Sequence, residues 1–137
     1  MKKEISIAHL TDIHIGPSEV PVRAINVRRN FEKALQQITF EKPDLIVLGG
    51  DLAADCGEVE AYQWIKPRLD QADIPYLIIP GNHDRVDNLI RIFDLKVESK
   101  ETALYYARRL NGLKLIFLDS STRTLSRTQL EWLEQEA

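Results

Sequence analysis

The stretch Asp44-Leu45-Ile46-Val47-Leu48-Gly49-Gly50-Asp51 decides the fold, because a short apolar run ends in two glycines and a carboxylate. An apolar run of this length predicts a strand that is buried on both faces, as in a parallel sheet covered by helices. The two glycines allow a sharp turn and the close approach of another group. We therefore expect Asp51 to point into a crevice at the carboxyl end of this strand.

Two further apolar runs end in the same way. The run 5–10 leads into Asp12 and His14, and the run 76–79 leads into Gly81 and a polar segment. In an open α/β sheet, ligands bind in the crevice outside the carboxyl ends of the strands. Oxygen and imidazole donors without thiolates suit divalent metals such as Mn, Fe or Zn. The sequence thus predicts one metal-binding pocket formed by Asp12, His14, Asp51, Asn82, His83 and Asp84.

These three motifs resemble those of the calcineurin-like metallophosphoesterases. The family pattern is D-x-H, then G-D, then G-N-H-[DE], and residues 12–14, 50–51 and 81–84 match it in this order. The segment 51–57 followed by Tyr62, and the segment 83–85 followed by Phe93, are most similar to the cyclic-nucleotide and glycerophosphodiester phosphodiesterase branch. The resemblance implies an α/β fold with a mixed, mainly parallel sheet and flanking helices, which is half of a four-layer α-β-β-α sandwich.

The resemblance extends over nearly the whole chain, but the chain lacks part of the family pattern. Family members carry further metal-binding histidines in a second half, in a G-H segment and a later G-H-x-H segment. Here the three histidines are His9, His14 and His83. We therefore interpret residues 1–137 as the amino-terminal part of one metallophosphoesterase domain.

The resemblance implies a site for two divalent metal ions, Mn, Fe or Zn. Asp12 and His14 would bind the first metal, Asn82 would bind the second through its amide oxygen, and Asp51 would bridge the two. The second site would be incomplete in this chain. Two such metals neutralise the charge of a phosphodiester and supply hydroxide near neutral pH.

The third motif carries the residues to which the resemblance assigns catalysis and substrate binding. His83 would stabilise the transition state or protonate the leaving oxygen, and Asp84 would fix the tautomer of His83. Asn82 and Arg85 are the candidate substrate contacts. For Arg85, a phosphate contact through the guanidinium and a solvated surface position are equal alternatives.

Three more residues have side chains that could bind a metal or take part in catalysis, and each also has a structural interpretation. His9 lies within the first strand, and we interpret it as a core histidine rather than a ligand. Cys56 is interpreted as a small buried hydrophobe rather than a soft metal ligand. Asp119 follows a predicted strand at the same edge as the motifs and is assigned a structural role.

The remaining elements follow from local patterns. Helices are expected at 24–40 and 58–72, the second with a kink or break near 64–66 because of Pro67. Asp87 is expected to cap a helix at 88–93. Asn111-Gly112 favours a two-residue hairpin turn, which would add antiparallel strands to the far side of the sheet.

The last helix has a capping signal. Ser126 and Gln129 match a capping box, and Leu125 and Leu130 are placed as a hydrophobic staple. The helix should run to the chain end with Leu130 and Leu133 on its inner side.

Composition limits the classes of protein to consider. A chain of 137 residues with 44% hydrophobic and 28% charged residues is typical of a soluble globular domain. A net charge of −3 gives no broad surface for nucleic acid. No targeting segment and no run of about 20 apolar residues for a membrane span is visible. With one cysteine, the sequence favours a reducing compartment, and we expect a cytoplasmic protein.

We therefore predict a metal-dependent phosphoesterase that hydrolyses small phosphodiesters of the cyclic-nucleotide or glycerophosphodiester type. One alternative is a non-catalytic interaction protein on the same scaffold, which the intact motifs disfavour. Another is a nuclease of the same superfamily, which the lack of a basic run disfavours. The strand runs are apolar on both faces, so a partner surface is expected, either a second copy of the chain or the missing carboxy-terminal half.

Overall fold

The computed structural model describes residues 4–97 and 102–137. Strands and helices alternate in its first part and are followed by a hairpin and a last helix. The elements are β1 (Ile7–Leu10), α1 (Val27–Glu41), β2 (Leu45–Leu48), α2 (Val59–Ala72), β3 (Tyr76–Ile78), α3 (Val86–Phe93), β4 (Tyr106–Leu110), β5 (Leu113–Phe117) and α4 (Arg127–Glu136). None of the described helices has the length and apolarity to cross a membrane.

The centre of the fold is a parallel sheet in the order β1-β2-β3. Ile7 pairs with Leu45, and Ile46 pairs with Tyr76, so the three strands end at one edge. One face of the sheet packs on the three helices α1, α2 and α3 through a single apolar core. The predicted α/β class, with a mainly parallel sheet and flanking helices, is confirmed.

Helix α1 begins later than the apolar pattern predicted. The Asn26 side chain accepts a hydrogen bond from the Arg29 amide at 3.0 Å, which caps the helix and sets its start at Val27. Lys42 adopts a left-handed conformation and Pro43 follows, so the helix ends there.

Helix α2 is continuous from Val59 to Ala72, so a break near 64–66, one of the two outcomes expected from Pro67, does not occur. Ala61, Tyr62 and Ile65 before the proline and Leu69 after it are all buried. Because both halves are anchored in the same core, packing outweighs the local cost of the lost backbone donor.

Helix α3 begins at Val86, two residues before the predicted start, and Asp87 is not its N-cap. Asp87 lies in the first turn, where its carboxylate binds the Asn88 amide at 3.0 Å and the Arg85 guanidinium at 2.8 Å. A carboxylate in the first turn still interacts favourably with the helix dipole.

The predicted hairpin forms, with Asn111 at φ 48 and Gly112 at φ 86 in its turn. It does not extend the parallel sheet, however, but makes a separate two-stranded sheet. The Tyr106 hydroxyl accepts a hydrogen bond from the Ile78 amide at 2.9 Å and donates one to the Ile78 carbonyl at 2.5 Å. A side chain therefore occupies the edge of β3 where a neighbouring strand would pair.

Helix α4 shows the predicted cap, but its inner face differs from the prediction. The Ser126 hydroxyl accepts from the Gln129 amide at 3.1 Å. Gln129 is 1% exposed, whereas Leu130 is 44% exposed, so the inward position assigned to Leu130 is wrong. The Gln129 side chain is buried because it accepts from the Asp119 amide at 2.6 Å and donates to the Asp119 carbonyl at 3.0 Å.

The second face of the parallel sheet is only partly covered. Ile7 is 41% exposed, and His9, two residues further along the same strand, is also exposed. The interpretation of His9 as a core histidine is therefore wrong, because alternate residues of the edge strand β1 point away from the helices. The imidazole lies over Gly49, where an added Cβ would come within 2.3 Å of His9 Nε2.

Candidate metal centre

The first two motifs are joined by hydrogen bonds that continue beyond the strand ends. The Asp12 amide donates to the Gly50 carbonyl at 3.0 Å, and the His14 amide donates to the Asp51 carbonyl at 3.0 Å. The Ile15 amide then donates to the Leu52 carbonyl at 2.8 Å. The two segments after β1 and β2 therefore run side by side, which fixes the first motif relative to Asp51.

Three residues of these motifs have unusual backbone angles. Asp12 has φ 54, His14 has φ 44 and Asp51 has φ 52, all in the left-handed region. For residues with a Cβ this conformation costs roughly 1–2 kcal/mol each. The hydrogen bonds between the two segments hold this conformation, and the three side chains converge on one point as a result.

The converging side chains form a metal-ligand set. One ligand atom from each of Asp12, His14 and Asp51 lies within 4.8 Å of the other two. His14 Nε2 is 3.7 Å from Asp12 Oδ1. Ligand atoms about 2–2.5 Å from a shared metal would have separations of this size. Two carboxylates and an imidazole suit a divalent cation such as Mn, Fe or Zn, and the residues present therefore fit the metal that the sequence predicted.

His83 lies beside this triad. Its amide donates to Asp51 Oδ1 at 2.9 Å, and its ring stands edge-on to the His14 ring with centroids 5.2 Å apart. His83 Nδ1 is 3.0 Å from the Asp55 carbonyl oxygen. A carbonyl oxygen only accepts hydrogen bonds, so Nδ1 carries the proton in this contact and Nε2 is left for other chemistry.

Asp84 has a different role from the predicted one. Its carboxylate accepts from the amides of Leu52 at 3.1 Å, Ala53 at 3.1 Å and Gly81 at 2.9 Å. The Tyr62 hydroxyl also donates to it, at 2.8 Å. With four donors around its two oxygens, Asp84 joins the second motif to the third.

The prediction that Asp84 fixes the His83 tautomer is therefore wrong, since the Asp55 carbonyl makes that contact. Burial, and then the nearby Asp84 carboxylate, raise the pKa of Tyr62 far above its ordinary value. The Tyr62 hydroxyl consequently stays protonated and donates to Asp84.

Two glycines allow the second and third motifs to touch. A Cβ at Gly50 would lie 2.8 Å from the Gly81 nitrogen, and a Cβ at Gly81 would lie 2.1 Å from Asp51 Oδ1. Gly50 also has φ 107, which favours glycine. The glycines noticed in the sequence thus permit the close backbone approach that was predicted around Asp51.

Two other predicted residues, Asn82 and Arg85, are not among those that line the cavity with the triad. Asn82 is exposed in the turn after β3 and does not line the cavity that contains the triad. Arg85 is also exposed, and it pairs with Asp87 at 2.8 Å. Asp87 raises the pKa of Arg85 through their hydrogen bond. The assignment of Asn82 and Arg85 to metal or substrate remains a prediction.

The predicted burial of Cys56 is wrong, because this side chain is exposed. The neighbouring Gly57 is buried instead, and an added Cβ there would lie 2.3 Å from the Arg85 nitrogen. Asp119 is 5% exposed and binds the Leu104 amide at 2.8 Å and the Ser121 amide at 2.9 Å, which supports its structural role.

The triad opens into a cavity of about 540 Å³. His83 lines the same cavity, and so does the segment 22–34, which precedes and begins α1. The sequence predicted a helix from residue 24 onward and assigned no functional role to residues 22–34. The available signal for its contribution was the group of apolar residues around Arg23, namely Val20, Val22 and Ile25, because a contiguous apolar patch can mark a binding site.

The fold and the site define a class: an α/β protein with a candidate carboxylate–imidazole metal site at the carboxyl edge of a parallel sheet. Residues 5–135 match the family described as calcineurin-like phosphoesterase. The chain belongs to this family, as the motifs at 12–14, 50–51 and 81–84 predicted.

Individual relatives support the same conclusion. The chain is 41% identical to a "probable cyclic nucleotide phosphodiesterase" of Fibrobacter succinogenes, over 98% of the chain and 52% of the relative. It is 31% identical to a 3',5'-cyclic-nucleotide phosphodiesterase of Nostoc sp., over 98% of the chain and 52% of the relative. It is 36% identical to a "probable glycerophosphodiester phosphodiesterase" of Arcobacter nitrofigilis, over 95% of the chain and 50% of the relative. The chain thus spans about half the length of these relatives.

Proposed function

We propose that this chain forms the metal-binding part of a phosphodiesterase that hydrolyses small phosphodiesters of the cyclic-nucleotide or glycerophosphodiester type. The observation that carries the proposal is the triad of Asp12, His14 and Asp51, whose ligand atoms lie within 4.8 Å of one another beside His83. The names of the relatives support both substrate types.

Asp12, His14 and Asp51 would hold the first divalent metal, and Asp51 with Asn82 would contribute to a second. When bound, such metals supply the Lewis acidity that offsets the anionic charge of a phosphodiester. With three ligands at the first site and two at the second, this chain should bind one metal more tightly than the other.

His83 would act on the leaving oxygen. Its Nδ1 lies 3.0 Å from the Asp55 carbonyl oxygen, a contact that orients the ring and would leave Nε2 free to act on the substrate. A protonated Nε2 would donate its hydrogen to the departing alkoxide, which is general-acid catalysis. Arg85 would add a phosphate contact if it left its exposed pair with Asp87.

The proposal extends to partners and compartment. A single exposed cysteine fits a reducing compartment such as the cytoplasm. The partly covered sheet face around Ile7 fits a second protein surface, from another copy of the chain or from a carboxy-terminal half.

Metal retention tests the metal centre. After Mn loading and dialysis, elemental analysis of the wild-type chain should give one tightly held metal, and Asp51→Asn should reduce retention by about 10- to 100-fold, as for other weakened metal sites. Asp55→Asn is the matched control, because it removes the same charge nearby, while only the backbone carbonyl of Asp55 contacts His83.

Equal retention by Asp51→Asn and Asp55→Asn would refute the metal centre. Hydrolysis of bis(p-nitrophenyl) phosphate with added Mn is the activity measurement. We expect low turnover from a chain with an incomplete second site, and removal of Mn with EDTA should abolish it.

A further inference from the structure

The cavity beside the metal triad has an apolar part that metal binding does not explain. Besides the triad, the lining of this 540 Å³ cavity includes the apolar side chains of Val22, Ile25, Phe31 and Ala34. A volume of this size lies within the range of about 300–1,000 Å³ typical of small-molecule sites, which are mostly apolar with a few polar groups. The same segment also contributes two polar residues to the lining, Arg23 and Asn30.

Arg23 is presented by a strained turn. The Val22 amide donates to the Ile25 carbonyl at 3.0 Å, and the Ile25 amide donates to the Val22 carbonyl at 2.9 Å. Between them, Arg23 has φ 49 and Ala24 has φ 65. A two-residue turn with positive φ at both positions strongly favours Asn, Asp or Gly. The turn therefore holds Arg23 at the cavity against its backbone preference, and such strain clusters at ligand sites.

The wall is preformed and open to a ligand. Arg28 of α1 donates to the Gly16 carbonyl at 3.1 Å and pairs with Glu19 at 2.7 Å. These contacts hold the loop that precedes the Arg23 turn against helix α1. Ile25 is nevertheless 53% exposed, whereas Phe31 of the same lining is 3% exposed. Burial of these exposed apolar side chains under a ligand would be favourable, because it would remove apolar surface from water.

We propose that this apolar compartment, walled by Val22, Ile25, Phe31 and Ala34, binds the nucleoside portion of a phosphodiester, with Arg23 stacked on its base. The proposal rests on the proposed function. Of the two substrate types named there, it favours the cyclic-nucleotide type over the glycerophosphodiester type. A flat heterocycle gains from burial against apolar side chains and from stacking with a guanidinium. Glycerol has no flat ring, so it would gain neither the stacking on a guanidinium nor the same burial against apolar side chains.

Binding of adenosine, which has no phosphate, tests the compartment independently of metal. In ¹⁵N-HSQC titrations of the metal-free chain, adenosine should shift the amides of residues 22–34, and glycerol at the same concentrations should not. Ala34→Leu fills the cavity and should weaken adenosine binding by about tenfold or more, the scale set by a misfitted pocket. Lys33→Leu is the matched control, since Lys33 is exposed and does not line the cavity.

Arg23→Gly removes the guanidinium at a position where glycine relieves the backbone strain. This variant should be at least as stable as the wild type and should bind adenosine several-fold more weakly, a loss typical of a single stacking contact. No shift with adenosine, equal binding by the Ala34→Leu and Lys33→Leu variants, or comparable shifts with glycerol would overturn the proposal.

Binding of inorganic phosphate to the Mn-loaded chain distinguishes a failure of this proposal from a failure of the proposed function. If phosphate binds the Mn-loaded chain but adenosine does not bind, the nucleoside compartment is refuted and the metal centre stands. If adenosine binds the wild type but not Ala34→Leu, the compartment is supported even where phosphate binding to the Mn-loaded chain is lost and the metal centre fails.

Discussion

At the scale of single residues, the geometry of the candidate metal triad conflicts with backbone preference. Asp12, His14 and Asp51 all have positive φ, a conformation that glycine adopts at lower cost. Hydrogen bonds between the segments after β1 and β2 keep these residues in place, as between the His14 amide and the Asp51 carbonyl at 3.0 Å. The arrangement of these three candidate metal-binding residues is therefore maintained at a cost to the stability of their own backbone.

A pair of substitutions at His14 should separate these two effects. Both His14→Ala and His14→Gly remove the imidazole, so both should lose tight metal binding. Only glycine relieves the strain at φ 44, and we expect the free energy of unfolding without metal to be about 1 kcal/mol higher for His14→Gly than for His14→Ala. Urea unfolding in EDTA measures the difference. An alanine variant as stable as the glycine variant would show that position 14 is not strained.

At the scale of elements, one tyrosine decides how the hairpin meets the sheet. The Tyr106 hydroxyl makes two hydrogen bonds to the backbone of Ile78 at the edge of β3. Burial raises the pKa of Tyr106 from 10.0 to about 12, so its hydroxyl is protonated at neutral pH and can donate. This contact shields an edge that could otherwise pair with another strand.

Tyr106→Phe should lower the free energy of unfolding by about 1–3 kcal/mol, because two buried backbone groups of Ile78 lose their partner. Tyr105→Phe is the control, since the hydroxyl of this neighbouring tyrosine has no hydrogen bond among the described residues. Urea unfolding at neutral pH compares the variants. Equal losses from the two substitutions would show that the bonds to Ile78 contribute nothing.

The raised pKa of Tyr106 also predicts the direction of a pH effect. The unfolded tyrosine loses its proton near pH 10, whereas the folded one keeps it to about pH 12. The stabilisation by this hydroxyl is therefore complete below pH 10 and is lost as the pH rises through 12. Between these values, the stability difference between wild type and Tyr106→Phe should shrink.

At the scale of the whole molecule, the two faces of the parallel sheet differ. One face carries the core beneath α1, α2 and α3, whereas the other leaves Ile7 41% exposed and His9 exposed beside it. The strand runs were predicted to be apolar on both faces, and apolar faces without cover tend to become interfaces. The chain spans about half the length of the three relatives named above.

We expect the isolated chain to associate with itself through this face or to aggregate. Sedimentation velocity should show an average mass that rises with concentration, and Ile7→Lys should reduce the effect. Phe40→Lys is the matched control, because Phe40 is 80% exposed but lies on α1, away from the sheet. A monomer at every concentration, or equal effects of the two lysines, would contradict this prediction.

The sequence by itself determined the parallel strands and the convergence of Asp12, His14 and Asp51. Apolar runs predict buried strands because successive residues of a strand point to opposite faces. When both faces are covered, every residue in the run is apolar. Parallel strands that end at one edge then place the residues after them together, whatever the details of packing. The close backbone approach around Asp51 could also be predicted from the glycines beside Asp51 and Asn82, because it depends on those glycines having no side chain.

Only the tertiary structure decided which groups meet across long sequence separations. Asp84 was assigned to its neighbour His83, but its carboxylate binds the Leu52 and Ala53 amides, more than thirty residues away. Tyr106 keeps the hairpin out of the sheet through a bond to Ile78, 28 residues away. Such partners are chosen by geometry and by the need to satisfy every buried polar group, and no local pattern encodes that choice.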